Sequence, residues 1–358
     1  MKRTTRRTFF ARLAGLSFVA ATARWSEAAE ALQNEWQSRV IEVLREKDLQ
    51  KPPVITALRL HPDGQMLAAA GDDHHVRVWH LNEGTLLHRL DGHNDWVRTV
   101  DYSPDGKTLA SAGHDRRIVV WNAETGARID DVARHPQAIA ALHYSHGGGM
   151  LSAVGFEGTI RVYDVATGRL MWEQAAPCDD MRAVAFSPDD TLLAAGGRSG
   201  VIRIYSAQTG ETVRDIAAHR LRIRSVQFSL DGVYMASAGE DRQVRVIPID
   251  ENLADYVLPK RPAKVMALCF YGPHHLATAG SDNQIRLWDV GLREEIGILT
   301  GHTGSVAAVD SAAGMLVSAG FDTTLRVWNV SEVVAGDGLR GEGRVGSKPQ
   351  WDLRSPMR

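Results

Sequence analysis

One period governs this chain of 358 residues. A tripeptide with a large residue at its centre recurs as Val78-Trp79-His80, Val120-Trp121-Asn122, Val162-Tyr163-Asp164, Ile204-Tyr205-Ser206, Val246-Ile247-Pro248, Leu287-Trp288-Asp289 and Val327-Trp328-Asn329. The central positions advance by 42, 42, 42, 42, 41 and 40 residues. Gly84, Gly126, Gly168 and Gly210 keep the same step. A repeat of this length cannot bury its own apolar face, so each copy must pack against the next.

Each copy has the same internal order. An apolar strand such as Val97 to Tyr102 comes first, followed by a turn, Ser103-Pro104-Asp105-Gly106, echoed at His61-Pro62-Asp63-Gly64, Ser187-Pro188-Asp189-Asp190 and Ser229-Leu230-Asp231-Gly232. Proline presets the turn backbone, and Asp-Gly accepts its positive φ. A small-residue strand (Leu109 to Gly113), a polar turn, a third strand (Arg117 to Trp121), a Thr-Gly turn and a weaker fourth strand complete the copy. Four short strands per repeat describe a propeller blade in an all-β fold. Hydrophobic residues at 44% and charged residues at 23% fit a folded domain. A net charge of −2 offers no basic field for nucleic acid. No apolar run reaches the roughly 20 residues of a membrane helix.

The repeats resemble those of the WD40-repeat family, from about Val54 to about Val330. Gly92-His93 and Gly301-His302 match that family's Gly-His pair, and Leu287-Trp288-Asp289 matches its Trp-Asp ending. The resemblance implies a seven-bladed β-propeller of four-stranded antiparallel blades. It also implies a buried network of histidine, Ser/Thr, aspartate and tryptophan in each blade. Blade two carries the full set as His93, Ser111, Asp115 and Trp121, and blade seven as His302, Ser318, Asp322 and Trp328. Blade six has Thr278, Asp282 and Trp288 without a histidine; blade five has His219, Ser237 and Asp241 with Ile247 in place of tryptophan. Blade three has His135, Ser152, Glu157 and Tyr163, blade one only Asp73 and Trp79, and blade four neither the histidine nor the acid. Blades two and seven are expected to be the most rigid, and blade four the least networked.

The last blade lacks a fourth strand of its own. Arg39 to Leu44 alternates as a strand and is expected to close the ring beside Leu325 to Trp328. The resulting division is an export signal at 1–23, a helix or linker at 24–38, the propeller at 39–330 and a disordered tail at 331–358. The leader reading rests on Lys2, Arg3, Arg6, Arg7 and Arg12, a weakly apolar run and the small residues Ala21-Thr22-Ala23. Arg6-Arg7 before Phe9-Phe10 resembles the twin-arginine motif. Its cleavage takes the net charge from −2 to −7 and places the body in the bacterial periplasm or another extracytoplasmic space. The alternatives are a cytosolic protein with a disordered basic tail and a mitochondrial presequence, which is also arginine-rich and acid-poor.

No catalytic, cofactor or metal constellation stands out. His74-His75 and His274-His275 are expected to be solvated turn residues rather than zinc ligands, since zinc needs four converging groups. Cys178 and Cys269 fall two blades apart and are expected to be free thiols. The arginine row at 77, 161, 203, 245, 286 and 326 lies two residues before six of the seven tripeptide centres, where stems pack between blades, and only Val119 breaks it. The inner strands offer Asp101, His143, Gln227 and Asp310 for a channel site, spread over four blades. The loops before the inner strands hold Arg182, Arg198, Arg220, Arg222, Arg224, Lys260, Arg261 and Lys264, partly offset by Asp179, Asp180 and Glu240; blade two adds Trp96 and Arg98. Exposed tryptophan and arginine are enriched in binding hot spots. The expectation is a non-enzymatic scaffold, one copy within a hetero-complex, docking an acidic segment of a partner protein on this face. The rival is a ligand-binding or catalytic propeller with its site in the central channel.

Overall fold

A computed structural model describes residues 38–42 and 52–330. The export signal at 1–23, the helix or linker up to residue 37 and the tail at 331–358 lie outside the described residues. Within those described, 28 strands form seven sheets of four antiparallel strands, and there is no helix.

Blade two illustrates the local logic. Its strands are Val97–Tyr102, Thr108–Gly113, Arg117–Asn122 and Arg128–Arg134. In the first turn the Ser103 hydroxyl donates to Asp105 at 2.7 Å and accepts the Thr108 N–H at 3.0 Å, while Gly106 takes a φ of +72°. Gly113 ends the second strand because a Cβ there would lie 2.0 Å from the Trp96 carbonyl oxygen. The second strand is therefore small and can be enclosed on both faces.

The apolar interior is divided into seven wedges, one at each blade boundary. Between blades one and two, Val76, Val78 and Leu90 meet Val97, Val100, Leu109 and Trp121. The inner three strands of each sheet are thus largely buried between neighbours while the fourth is mostly exposed, and every blade depends on two others.

The ring closes as the strand pattern requires. Ser38–Glu42 pairs antiparallel with Thr324–Asn329, from Ser38 opposite Trp328 to Glu42 opposite Thr324. The strand starts one residue before the expected Arg39, and residues 43 and 44 of the expected span lie outside the described residues. Ile41 is buried in the wedge between blades seven and one, and Arg326 Nη1 donates to Ser38 Oγ at 3.0 Å.

All seven inner strands share one irregularity. Each skips a residue in its pairing with the second strand, at Thr56, Arg98, Ala140, Arg182, Arg224, Met266 and Ala307. A bulge re-aims the side chain of the extra residue. Here the seven positions are all half-buried and lie at one end of the central channel.

Candidate functional site

The histidine networks fix which loops share a face. In blade two Trp121 Nε1 donates to Ser111 Oγ at 2.8 Å, Ser111 Oγ lies 2.7 Å from His93 Nε2, and His93 Nδ1 lies 2.8 Å from Asp115. The tryptophan must donate and the aspartate must accept, so a neutral imidazole carrying its proton on Nδ1 satisfies every member. Blade seven repeats the chain through Trp328, Ser318, His302 and Asp322. Each histidine precedes its inner strand, and each aspartate sits between the second and third strands. Those two sets of loops therefore form one face, called here the upper face.

The other blades depart from this scheme in ways that correct the sequence reading. Blade six does have a partner where the histidine stands elsewhere: Arg261, 2% exposed, donates from Nη1 to Thr278 Oγ1 at 2.8 Å and from Nη2 to Asp282 at 3.2 Å. Arg261 consequently does not belong to the solvent-facing basic group. In blade three the Tyr163 hydroxyl meets His135 Nε2 directly at 2.9 Å, and Ser152 turns away to the His143 carbonyl. A longer reach from tyrosine makes the serine redundant. Blade four has no such chain, and Tyr205 donates instead to the Ala175 carbonyl at 2.8 Å. His275 is buried in the strand His275–Gly280 rather than solvated, whereas His274 is exposed. Cys178 and Cys269 are free.

The arginine row is structural. Arg161 reaches Glu173, Arg203 reaches Asp215 and Arg286 reaches Glu295, each at 2.7–2.9 Å across the third and fourth strands. The inner-strand candidates are also accounted for by the ring itself. Asp310, Asp101, His143 and Gln227 accept the backbone N–H of Leu60, Tyr144, Phe186 and Phe270, each on the next blade. They satisfy backbone donors on the inner edges of the sheets, which have no further strand to pair with. Asp101 and Asp310 converge on a residue the sequence reading passed over, Arg59, at 2.9 and 3.1 Å. Burial opposes the charge of Arg59, but the two carboxylates more than offset it and hold its pKa above the ordinary value. Two buried carboxylates sharing one guanidinium stay above the usual carboxylate range, chiefly through burial. Aligning the repeats would have found Arg59, since it stands one repeat before Asp101.

The upper face over blades two to six carries the remaining chemistry. Trp96 is 44% exposed. Its ring lies 5.6 Å from that of His114, which lies 5.8 Å from Phe156. Arg98 sits 5.5 Å over Trp96 and donates from Nε to His114 Nε2 at 2.9 Å; Arg182 sits 4.2 Å over Phe156. These contacts build a continuous platform of alternating rings and guanidinium groups. His114 and Phe156 were absent from the sequence reading, although they occupy one position a repeat apart.

Beside the platform runs a ladder of charges. Asp180 contacts Arg182 at 2.5 Å and Arg222 at 2.8 Å. Glu240 contacts Arg222 at 3.1 Å, Arg224 at 2.8 Å and Lys264 at 3.8 Å. Burial raises the carboxyl pKa of Glu240, but these cations outweigh it and hold the group below its usual range. Burial and the nearby Arg182 and Arg224 lower Arg98, and burial with Arg182 and Arg222 lowers Arg224. Like charges are therefore crowded around the channel mouth. Arg198 and Arg220 stand exposed at the rim, as does Lys260. The structure brings Trp96, Arg98, Arg182, Arg222, Arg224 and Lys264 together; Asp180 and Glu240 preorganise four of them rather than merely diluting their charge.

Comparison with known proteins agrees with this architecture. The family description "WD domain, G-beta repeat" matches residues 45–80, 84–122, 256–289 and 293–329. The "Anaphase-promoting complex subunit 4 WD40 domain" matches residues 171–231. Among curated relatives, Coronin-7 of Rattus norvegicus is 41% identical over 104 residues, covering 25% of this chain and 11% of the relative. The CCR4-associated factor 4 homolog of Candida glabrata is 38% identical over 65 residues, 17% of this chain and 11% of the relative. Mitochondrial division protein 1 of Mycosarcoma maydis is 29% identical over 86 residues, 24% of this chain and 11% of the relative. The matched stretches span about a tenth of each relative's length. With seven four-stranded blades on a step of 40 to 42 residues and family matches in blades one, two, four, six and seven, the chain is a WD40-repeat β-propeller.

Proposed function

We propose that this propeller is a non-enzymatic protein-interaction scaffold, exported to the bacterial envelope, that docks an acidic segment of a partner protein on its upper face. The observation that carries the reading is the Trp96–His114–Phe156 platform flanked by Arg98, Arg182, Arg222, Arg224 and Lys264, with two carboxylates among five cations. Preordered guanidinium forks bind carboxylates with less ordering cost than free side chains. The rings give apolar contact to residues flanking the acids. The export half of the reading rests on the basic leader and its small-residue cleavage site.

Two experiments test it. Anisotropy of a labelled Asp/Glu-rich peptide containing one aromatic residue should show binding that weakens with salt. The triple variant Arg198→Glu, Arg220→Glu, Lys264→Glu uses exposed side chains and spares the ladder's arginines. It should lower affinity at least about tenfold, as should Trp96→Ala. Unchanged affinity in both removes the docking surface. For export, a native mass beginning at Arg24 in the envelope fraction is expected. Full-length protein in the cytosol would replace this part with a cytosolic regulatory or assembly role.

A further inference from the structure

The channel mouth has a second capacity that needs no partner protein. A cavity of about 160 Å³ opens there, lined by Arg59, Arg182 and Arg224 with Thr99, Ser225 and Gln227 on its walls. Arg182 and Arg224 each also contact one carboxylate, Asp180 and Glu240 respectively. That volume is close to the roughly 150 Å³ of an engineered protein cavity that takes up one benzene, so it suits a ligand of a few heavy atoms and not a folded chain. Arg98, Arg182 and Arg224 occupy the same bulge position on three blades; Arg182 and Arg224 line the cavity, while Arg98 lies over the Trp96 ring. Between Arg98 and Arg182 the bulge residue is Ala140, which leaves space where a longer side chain would stand. Arg98 has a hydrogen bond to the His114 ring and no ion pair among the described residues. Arg59 also reaches the cavity lining, but it is held by both Asp101 and Asp310. Asp95 and Asp179 lie on the loops before blades two and four.

We propose that this cavity binds a small free dianion, either a phosphate group or a compact dicarboxylate, between Arg182 and Arg224. Guanidinium forks pair bidentately with both oxyanion types, and the wall hydroxyls and amide complete the donor set. The inference stands apart from the acidic-segment reading, because it concerns the purified chain alone. If both hold, the dianion and the segment compete for Arg182 and Arg224.

Calorimetric titration and thermal unfolding of the purified protein test the site, using inorganic phosphate and succinate, with chloride and acetate at matched ionic strength. Phosphate, succinate or both should saturate with a dissociation constant of about 1 mM or tighter and raise the melting temperature by a few degrees at ~100-fold excess over that constant. Phosphate alone assigns the site to phosphate groups, succinate alone to dicarboxylates, and both to dianions of either shape. Arg224→Lys keeps the charge but loses the fork, and should weaken binding about tenfold. Ala140→Glu supplies a tethered carboxylate to the mouth. It should fold at least as stably as the parent at low salt and lose the anion response. The proposal is overturned if chloride matches phosphate and succinate, if neither dianion saturates, or if Ala140→Glu binds as the parent does.

Discussion

The guanidinium of Arg261 donates to Thr278 Oγ1 at 2.8 Å, in the place that His93, His219 and His302 hold in their own blades. Because arginine has no acceptor, the threonine hydroxyl receives both Arg261 and the Trp288 Nε1 donor at 2.9 Å and turns its own proton toward the Arg286 carbonyl. Removing the side chain leaves Thr278 with Trp288 and the Arg286 carbonyl, and leaves half-buried Asp282 only the longer contact to Arg286 at 3.8 Å among its ion pairs. Arg261→Ala is expected to cost about 3–5 kcal/mol in urea unfolding, and Arg261→His to recover most of that loss. A cost for Arg261→Ala within 0.5 kcal/mol of zero would show that the pair is not needed.

Tyr163 permits a cleaner subtraction. Its hydroxyl is the partner of His135 Nε2, and the ring itself is buried. Tyr163→Phe keeps the ring and leaves the imidazole nitrogen unpaired, at about 1–3 kcal/mol. The same measurement on Tyr163→Phe, Ser152→Ala should add little beyond the serine's own bond to the His143 carbonyl, since Ser152 is outside this chain.

Buried histidines give the fold an acid limit. Burial, with Arg59 and His146 nearby, holds His143 well below the usual imidazole range. Burial likewise lowers His135, His219 and His302, against the pull of their carboxylates. A histidine whose folded pKa lies below its unfolded value near 6.5 takes its proton preferentially in the unfolded chain. This stability is complete above about pH 6.5 and is lost as pH falls toward the folded values. Unfolding midpoints should therefore drop between pH 7 and pH 5. His143→Gln copies blade five, where Gln227 accepts the Phe270 N–H at 3.3 Å. It should flatten the slope by up to about 1.4 kcal/mol per pH unit. An unaltered slope would remove His143 from the acid response.

Closure of the ring is a property of the whole molecule. Ile41 is 5% exposed, in a strand that reaches blade seven from the other end of the chain. Ile41→Ala should cost about 2–5 kcal/mol. The loss should appear as one shifted unfolding transition, because each wedge joins two blades. Deleting residues 1–46 should lower the midpoint of the entire propeller. A normal main transition preceded by a small early one would mean that closure is only local.

The sequence by itself determined the number of blades, the strands within each, the turn chemistry and the closing strand. All of these follow from the order of residues along the chain: a constant step, apolar alternation, and Pro-Asp-Gly turns whose φ values are set locally. It also named most of the basic upper face, since each residue lies in a loop of known place within its repeat. Tertiary structure decided which of those charges are free. Arg261 turned inward because its reach matches the histidine's place, and Arg59 became the meeting point of acids from blades two and seven. Asp180 and Glu240 bind across blades four to six, and His114 meets Phe156 only because adjacent blades set equivalent turns side by side. Ion pairing and ring stacking depend on distances of a few ångströms between residues that the sequence separates by 21 positions (Arg261 and Asp282) or as many as 251 (Arg59 and Asp310). Those distances are fixed by how the blades pack, not by any pattern within one blade.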